Sequence, residues 1–192
     1  MVVVGQREFR FKRENPVKMS ARELWTALHG MVLGAGLLLL FTGALASLWS
    51  LRSSWLTEEG AVRQIRRLRA CTWAMMILVW LAVLLGTYLI YPWYRSAPPP
   101  GAILASHPKY LLLANPHTAD WHEFGMEWKE HVAWLAPILA TALVFVVTRW
   151  PRHVMNDRHV RWALLILLIA CFFCAGIGGV LGALVDKAAP IR

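Results

Sequence analysis

The chain has 192 residues, 58% of them hydrophobic and 16% charged, with 20 Lys and Arg against 11 Asp and Glu and a formal charge of +9. Soluble domains carry about 25% charged residues, so this composition excludes a soluble enzyme, a disordered tail and a disulfide-stapled secreted module. On a lipid-facing chain the basic excess reflects topology and anionic lipid, and no nucleic-acid partner is expected.

Residues 1–23 form a basic tail with no apolar segment of the kind a cleavable signal needs. The alternation Glu8-Phe9-Arg10-Phe11-Lys12-Arg13 fits a short strand or a patch resting on headgroups. From residue 24 to 192 the expected fold is an all-α integral membrane four-helix bundle. Four runs lack any formal charge: Leu24–Leu51, Ala70–Tyr94, Val132–Thr148 and Trp162–Val185. Crossing a bilayer takes about 20 residues. Three runs exceed that. The third reaches only about 25 Å, so its helix must begin at the surface or extend through the polar stretch before it.

Aromatic residues mark the span ends. Trp49 and Trp55 follow the first span, and Tyr88, Tyr91, Trp93 and Tyr94 close the second. Trp121, Trp128 and Trp134 surround the start of the third, and Trp150 and Trp162 flank the connection to the fourth. Such rings, apolar with one polar atom, favour the headgroup layer.

The long Trp- and His-rich loop, 95–131, separates spans two and three. It opens with Pro98-Pro99-Pro100, which is expected to be extended. Tyr110–Ala114 is apolar but too short to span, and Asn115-Pro116-His117 is a turn signal. Asp120–His131 looks like an amphipathic helical lead into span three, which Pro137 would kink near its start.

Four spans place the N-tail, the long loop and the C-terminus on one side. The two short loops carry Arg52, Arg63, Arg66, Arg67, Arg69, Arg149, Arg152, Arg158 and Arg161 on the other. Basic residues in short loops weigh most, which puts those loops in the cytoplasm and the 95–131 loop on the external, periplasmic side of an inner membrane. The basic N-tail argues the other way.

Four features bear on chemistry. His29 lies just inside span one and His131 at the mouth of span three, on parallel helices and near the same surface. Neutral imidazole is the usual axial ligand of haem iron, so the two could hold one haem b. Gly30 and Gly34 follow His29 at GxxxG spacing, leaving room for a helix or a flat macrocycle. Hydrogen bonding to Glu123, Glu127 or Glu130 would account for the same histidines without a cofactor.

Second, Glu123, Glu127 and His131 fall on one helical face, with His122 beside them. This pattern suits zinc or iron on the loop surface, although the Glu-x-x-His unit of di-iron carboxylate sites is absent. Third, Cys171 and Cys174 share a CxxC within span four, where a thiolate is disfavoured, and read as packing residues. Fourth, Gly178, Gly179 and Gly182, with Ala175, Gly176 and Ala183, make a small-residue stripe for helix packing. Running toward the side of the histidines, it is expected to meet the small residues of span one. Walker, Rossmann, HExxH and Ser-x-x-Lys patterns are all absent.

Three segments, Leu28-His29-Gly30, Gly86-Thr87-Tyr88-Leu89-Ile90-Tyr91-Pro92 and Glu130-His131-Val132-Ala133-Trp134, give the bundle a layout that resembles small bacterial four-helix membrane proteins of the cytochrome b561-like kind. Relatives of that kind usually carry more intramembrane histidines; spans two and four here have none. The resemblance implies an electron-transfer subunit, not catalytic alone, that ligates haem b through His29 and His131, with His117 and His122 in reserve. Electrons would pass between a quinol and another carrier. Two rival readings are a structural or assembly subunit that docks other membrane subunits through span four and the long loop, and the surface metal site.

Overall fold

A computed structural model describes residues 19–52 and 56–191. The Glu8–Arg13 segment and Trp55 lie outside the described residues. Four helices are long and apolar enough to cross a membrane: α1 (Ala21–Ser50), α2 (Glu58–Arg95), α4 (Pro116–Arg149) and α6 (Arg158–Ala188). Two short helices join them, α3 (Pro108–Leu113) before α4 and α5 (Pro151–Asn156) before α6.

Each long helix starts before its apolar run because a polar side chain caps it. Ser20 Oγ accepts from the Glu23 N–H at 3.1 Å, and the Glu23 carboxylate accepts from the Ser20 N–H at 2.7 Å. This reciprocal capping box satisfies two donors that a helix start leaves open. Thr57 caps α2 through Gly60, with Glu58 and Glu59 in the first turn, where the helix dipole favours negative charge. The loop arginines Arg63, Arg66, Arg67 and Arg69 therefore ride on helix. Asn115 Oδ1 accepts from the His117 N–H at 3.0 Å, so the Asn-Pro-His turn is also the start of α4. Asp157 Oδ1 caps α6 through the His159 N–H at 2.7 Å.

The polar half of the long loop is thus helix. From Pro116 the chain runs through the acidic, His-rich stretch into the third apolar run, making a stretch of 34 residues. It breaks at a turn over Ala133 and Trp134. Pro137 has no N–H for the Ala133 carbonyl, which accepts instead from Ala136 N at 3.3 Å. Pro98–Pro100 stays outside helix and ends in a turn at Gly101, whose φ of 79° suits glycine.

Lipid is as apolar as leucine, so helices of such a bundle are held by close packing and interhelical hydrogen bonds rather than by exclusion of water. The larger core joins Leu37, Ala44 and Leu48 of α1 to Leu68, Met75 and Val79 of α2, Ala136, Ala140 and Leu143 of α4, and Leu164, Leu168 and Cys171 of α6. Phe41 stacks on Phe172 at 4.0 Å, tying α1 to α6. The indoles of Trp73 and Trp80 donate to Thr148 at 3.3 Å and Thr141 at 3.1 Å, tying α2 to α4. These two tryptophans fasten helices together, a use beyond that of interfacial anchor. Cys171 Sγ donates to the Ala136 carbonyl at 3.3 Å. Leu39, Ile138, Ile166 and Phe173 point outward and are exposed, an apolar surface suited to lipid.

A second, smaller apolar cluster closes the long-loop end. It contains Ile90 and Tyr94 of α2, Leu112 of α3, Met126 of α4, and Val185, Ala189 and Ile191 at the chain's end.

Candidate functional site

Between these two clusters, polar side chains of α4 and α1 meet glycines of α2 and α6. Along α4, Lys129 and Glu130 fall between Met126 of the small cluster and Ala136 of the large one. Along α2, Gly86 falls between Val79 and Ile90; along α6, Gly178 and Gly182 fall between Cys171 and Val185. His29 of α1 joins this level by packing on Gly86.

The glycines make the space. A β-carbon at Gly86 would stand 3.1 Å from His29 Cε1, so the imidazole occupies the slot that the missing side chain leaves. A β-carbon at Gly182 would stand 2.9 Å from Lys129 Nζ, so the lysine lies across α6. Gly178 meets the Ala133 β-carbon position at 3.8 Å. The glycines of α6 that find a partner therefore find it in α4, not in span one as the sequence suggested. The reason is Lys129, whose side chain needs the gap. At Gly30, Gly34, Gly176 and Gly179 an added β-carbon would meet nothing within 4 Å among the described residues.

Helix geometry is unusual at this level. Wide π-helical turns occur at Leu28–Val32, Gly86–Ile90 and Trp121–Met126. Such turns are rare and concentrate at functional sites. One contains His29, one begins at its partner Gly86, and one contains His122.

Charge and hydrogen bonding converge here. Lys129 is within electrostatic range of His29, Glu130 and Asp186. The Tyr91 hydroxyl accepts from Arg95 Nη1 at 3.1 Å and lies against the Glu130 carboxyl. Tyr94 is buried, and its hydroxyl is 2.9 Å from Nδ1 of His122, itself 7% exposed. Two buried atoms, His29 Nδ1 and Glu130 Oε1, have no hydrogen-bond partner among the described residues. Unsatisfied buried polar atoms are uncommon and call for a ligand, a water or a catalytic explanation.

The expected site residues take up different positions. His29 lies against Gly86. His131 sits on the exposed face of α4, its Nδ1 2.7 Å from the carbonyl of Glu127, which leaves Nε2 free. Glu123 and Glu127 are exposed, while His122 turns inward to Tyr94. Among the described residues, no group of three His, Cys, Asp or Glu could hold a metal ion. Sequence reasoning missed Lys129, Gly86 and Asp186 as members of this layer. The available signal was helical spacing, since Lys129 lies four residues before Ala133 and shares its face.

These features define a helical protein with four segments able to cross a membrane and a polar layer near one end. No family model matches this chain, and neither a curated protein nor a solved structure matches it.

Proposed function

We propose that this chain is an integral membrane subunit of a redox assembly, and that its polar layer takes up protons from a quinol whose electrons pass to another carrier. The observation that carries the reading is the placement of His29, Lys129 and Glu130 between two apolar clusters. Ionisable groups at such depth are costly and are kept for function. Oxidation of a quinol releases two protons and two electrons. A carboxylate and an imidazole with unpartnered atoms supply proton acceptors, and Tyr94 with His122 supplies a path of exchangeable protons toward the long-loop side.

In the haem form of this proposal, His29 and His131 would hold a haem b, which would carry the electrons one at a time. The Nδ1 contact of His131 to a backbone carbonyl is the arrangement that leaves Nε2 available to a metal. The open faces of Gly30 and Gly34 leave room for a flat ring. The nine arginines of the short-loop side support a cytoplasmic position for that side, with the polar layer near the external face of the inner membrane.

A second reading, that of an assembly subunit, is favoured by Phe124 and Trp128, an aromatic pair 5.6 Å apart and 59% and 48% exposed on α4. A reduced-minus-oxidised spectrum and a pyridine haemochrome assay on protein purified in mild detergent separate the two. The redox reading expects a b-type spectrum that bleaches in His29→Ala. A flat spectrum, with no haem in native membranes, removes the haem form and leaves the assembly reading.

A further inference from the structure

We propose that the cleft between the end of α1 and the start of α6 binds the phosphate of an anionic phospholipid. It lies at the opposite end of the bundle from the polar layer and owes nothing to it. The cleft has a volume of about 210 Å³. That is below the roughly 300–1,000 Å³ of sites for drug-sized ligands, and it suits a headgroup.

Arginine dominates its rim. The guanidinium of Arg52 lies 4.4 Å from the ring of Trp49 and 4.3 Å from that of Trp162. The two indoles fix this cation and leave its edge N–H groups to meet a ligand. Arg158 and Arg161 complete the rim, and among the described residues no carboxylate lines the cleft. Among the described residues, neither Arg52 nor Arg158 donates a hydrogen bond to the protein. Arg161 is already anchored, with Nη1 on the carbonyls of Met155 at 2.6 Å and Val154 at 3.3 Å. Its Nε is buried without a partner among the described residues. A planar cation so fixed suits bidentate contact with a phosphate.

The floor distinguishes a lipid from a free anion. Leu48 and Leu165 line the cleft. Both lie further into the apolar runs than Arg52 and Arg158, and so on the bilayer side of them. A phosphodiester seated on the arginines would run its acyl chains past these leucines along the indoles of Trp49 and Trp162, 59% and 46% exposed. Inorganic phosphate would use the rim and leave the floor bare.

The test is lipid titration of the full chain in neutral detergent, read by native mass spectrometry, with phosphatidylglycerol, phosphatidylcholine and inorganic phosphate as probes. The expected result is one phosphatidylglycerol bound in preference to phosphatidylcholine. The double variant Arg52→Gln/Arg158→Gln should weaken that binding about tenfold or more and leave phosphatidylcholine unchanged. The pair Arg63→Gln/Arg66→Gln, with the same charge loss on α2, should leave it intact. Equal losses in both pairs would show general surface attraction and overturn the site. Inorganic phosphate binding as tightly as the lipid, with the same arginine dependence, would overturn the lipid as ligand. If the double variant does not fold, Trp162→Leu, which unpins Arg52, must weaken phosphatidylglycerol binding; unchanged binding there overturns the proposal.

Discussion

At Gly182 the atoms an added β-carbon would meet are Nζ and Cε of Lys129, the far end of a flexible chain, whereas at Gly178 it would make ordinary contact with Ala133. The two glycines should therefore respond differently. Gly178→Ala is expected to hold or raise stability by up to about 1 kcal/mol, since alanine suits helix better. Gly182→Leu should lower it by about 1–3 kcal/mol through overpacking, and thermal unfolding in detergent checks both. Tyr94→Phe removes the partner of a buried imidazole and should cost about 1–3 kcal/mol by the same measurement. Equal melting of wild type and Tyr94→Phe would mean that His122 finds another partner. Of this layer, His29 was legible in the sequence because a histidine stands out in an apolar run. Lys129 was not, because it lies in a charged stretch that reads as loop until the helix is seen to pass through it.

The same limit shows in whole elements. Apolar runs locate the four helices, but charge does not end a helix; caps and prolines do. Ser20 with Glu23, Thr57, Asn115 with Pro116, and Asp157 were all present as start signals, and they lengthen the helices beyond their uncharged runs. The expected disturbance near Pro137 is seen as the turn at Ala133–Trp134. The three wide turns leave no mark in hydropathy, because a π turn differs from an α turn in hydrogen bonding and not in composition. Asp157 offers a test at this scale. The backbone N–H of His159 stabilises its charged form and holds its carboxyl below the ordinary value of 3.8. A depressed folded pKa stabilises above the unfolded value and is lost as pH falls through the folded one. Protection from hydrogen exchange at the first turn of α6, taken relative to the intrinsic rate at each pH, should thus be full at neutral pH and fall in acid below pH 3.8. Asp157→Asn, which keeps a capping side chain without a titrating group, should abolish that acid response.

For the molecule as a whole, four helices able to cross a bilayer put both ends of the described chain and the long loop on one side. With Cys71, Cys171 and Cys174 replaced by alanine, a cysteine introduced at Ala102 should react with a membrane-impermeant maleimide in intact cells. One at Arg152 should react only after permeabilisation. The reverse pattern would invert the proposed orientation and leave the fold untouched. The wide turns have a further consequence for how this chain tolerates changes in length. In a regular α-helix, losing one residue turns everything beyond it by about 100° and carries the core face away from its neighbours. A π turn holds a surplus residue within its own loop of hydrogen bonds, so a loss there lets it tighten while the flanking turns keep their phase. Within Leu28–Val32, a one-residue deletion should leave Leu37 and Ala44 facing inward and spend its whole effect on the neighbourhood of His29. At three points, length and phase are uncoupled in this fold, and those points surround the polar layer.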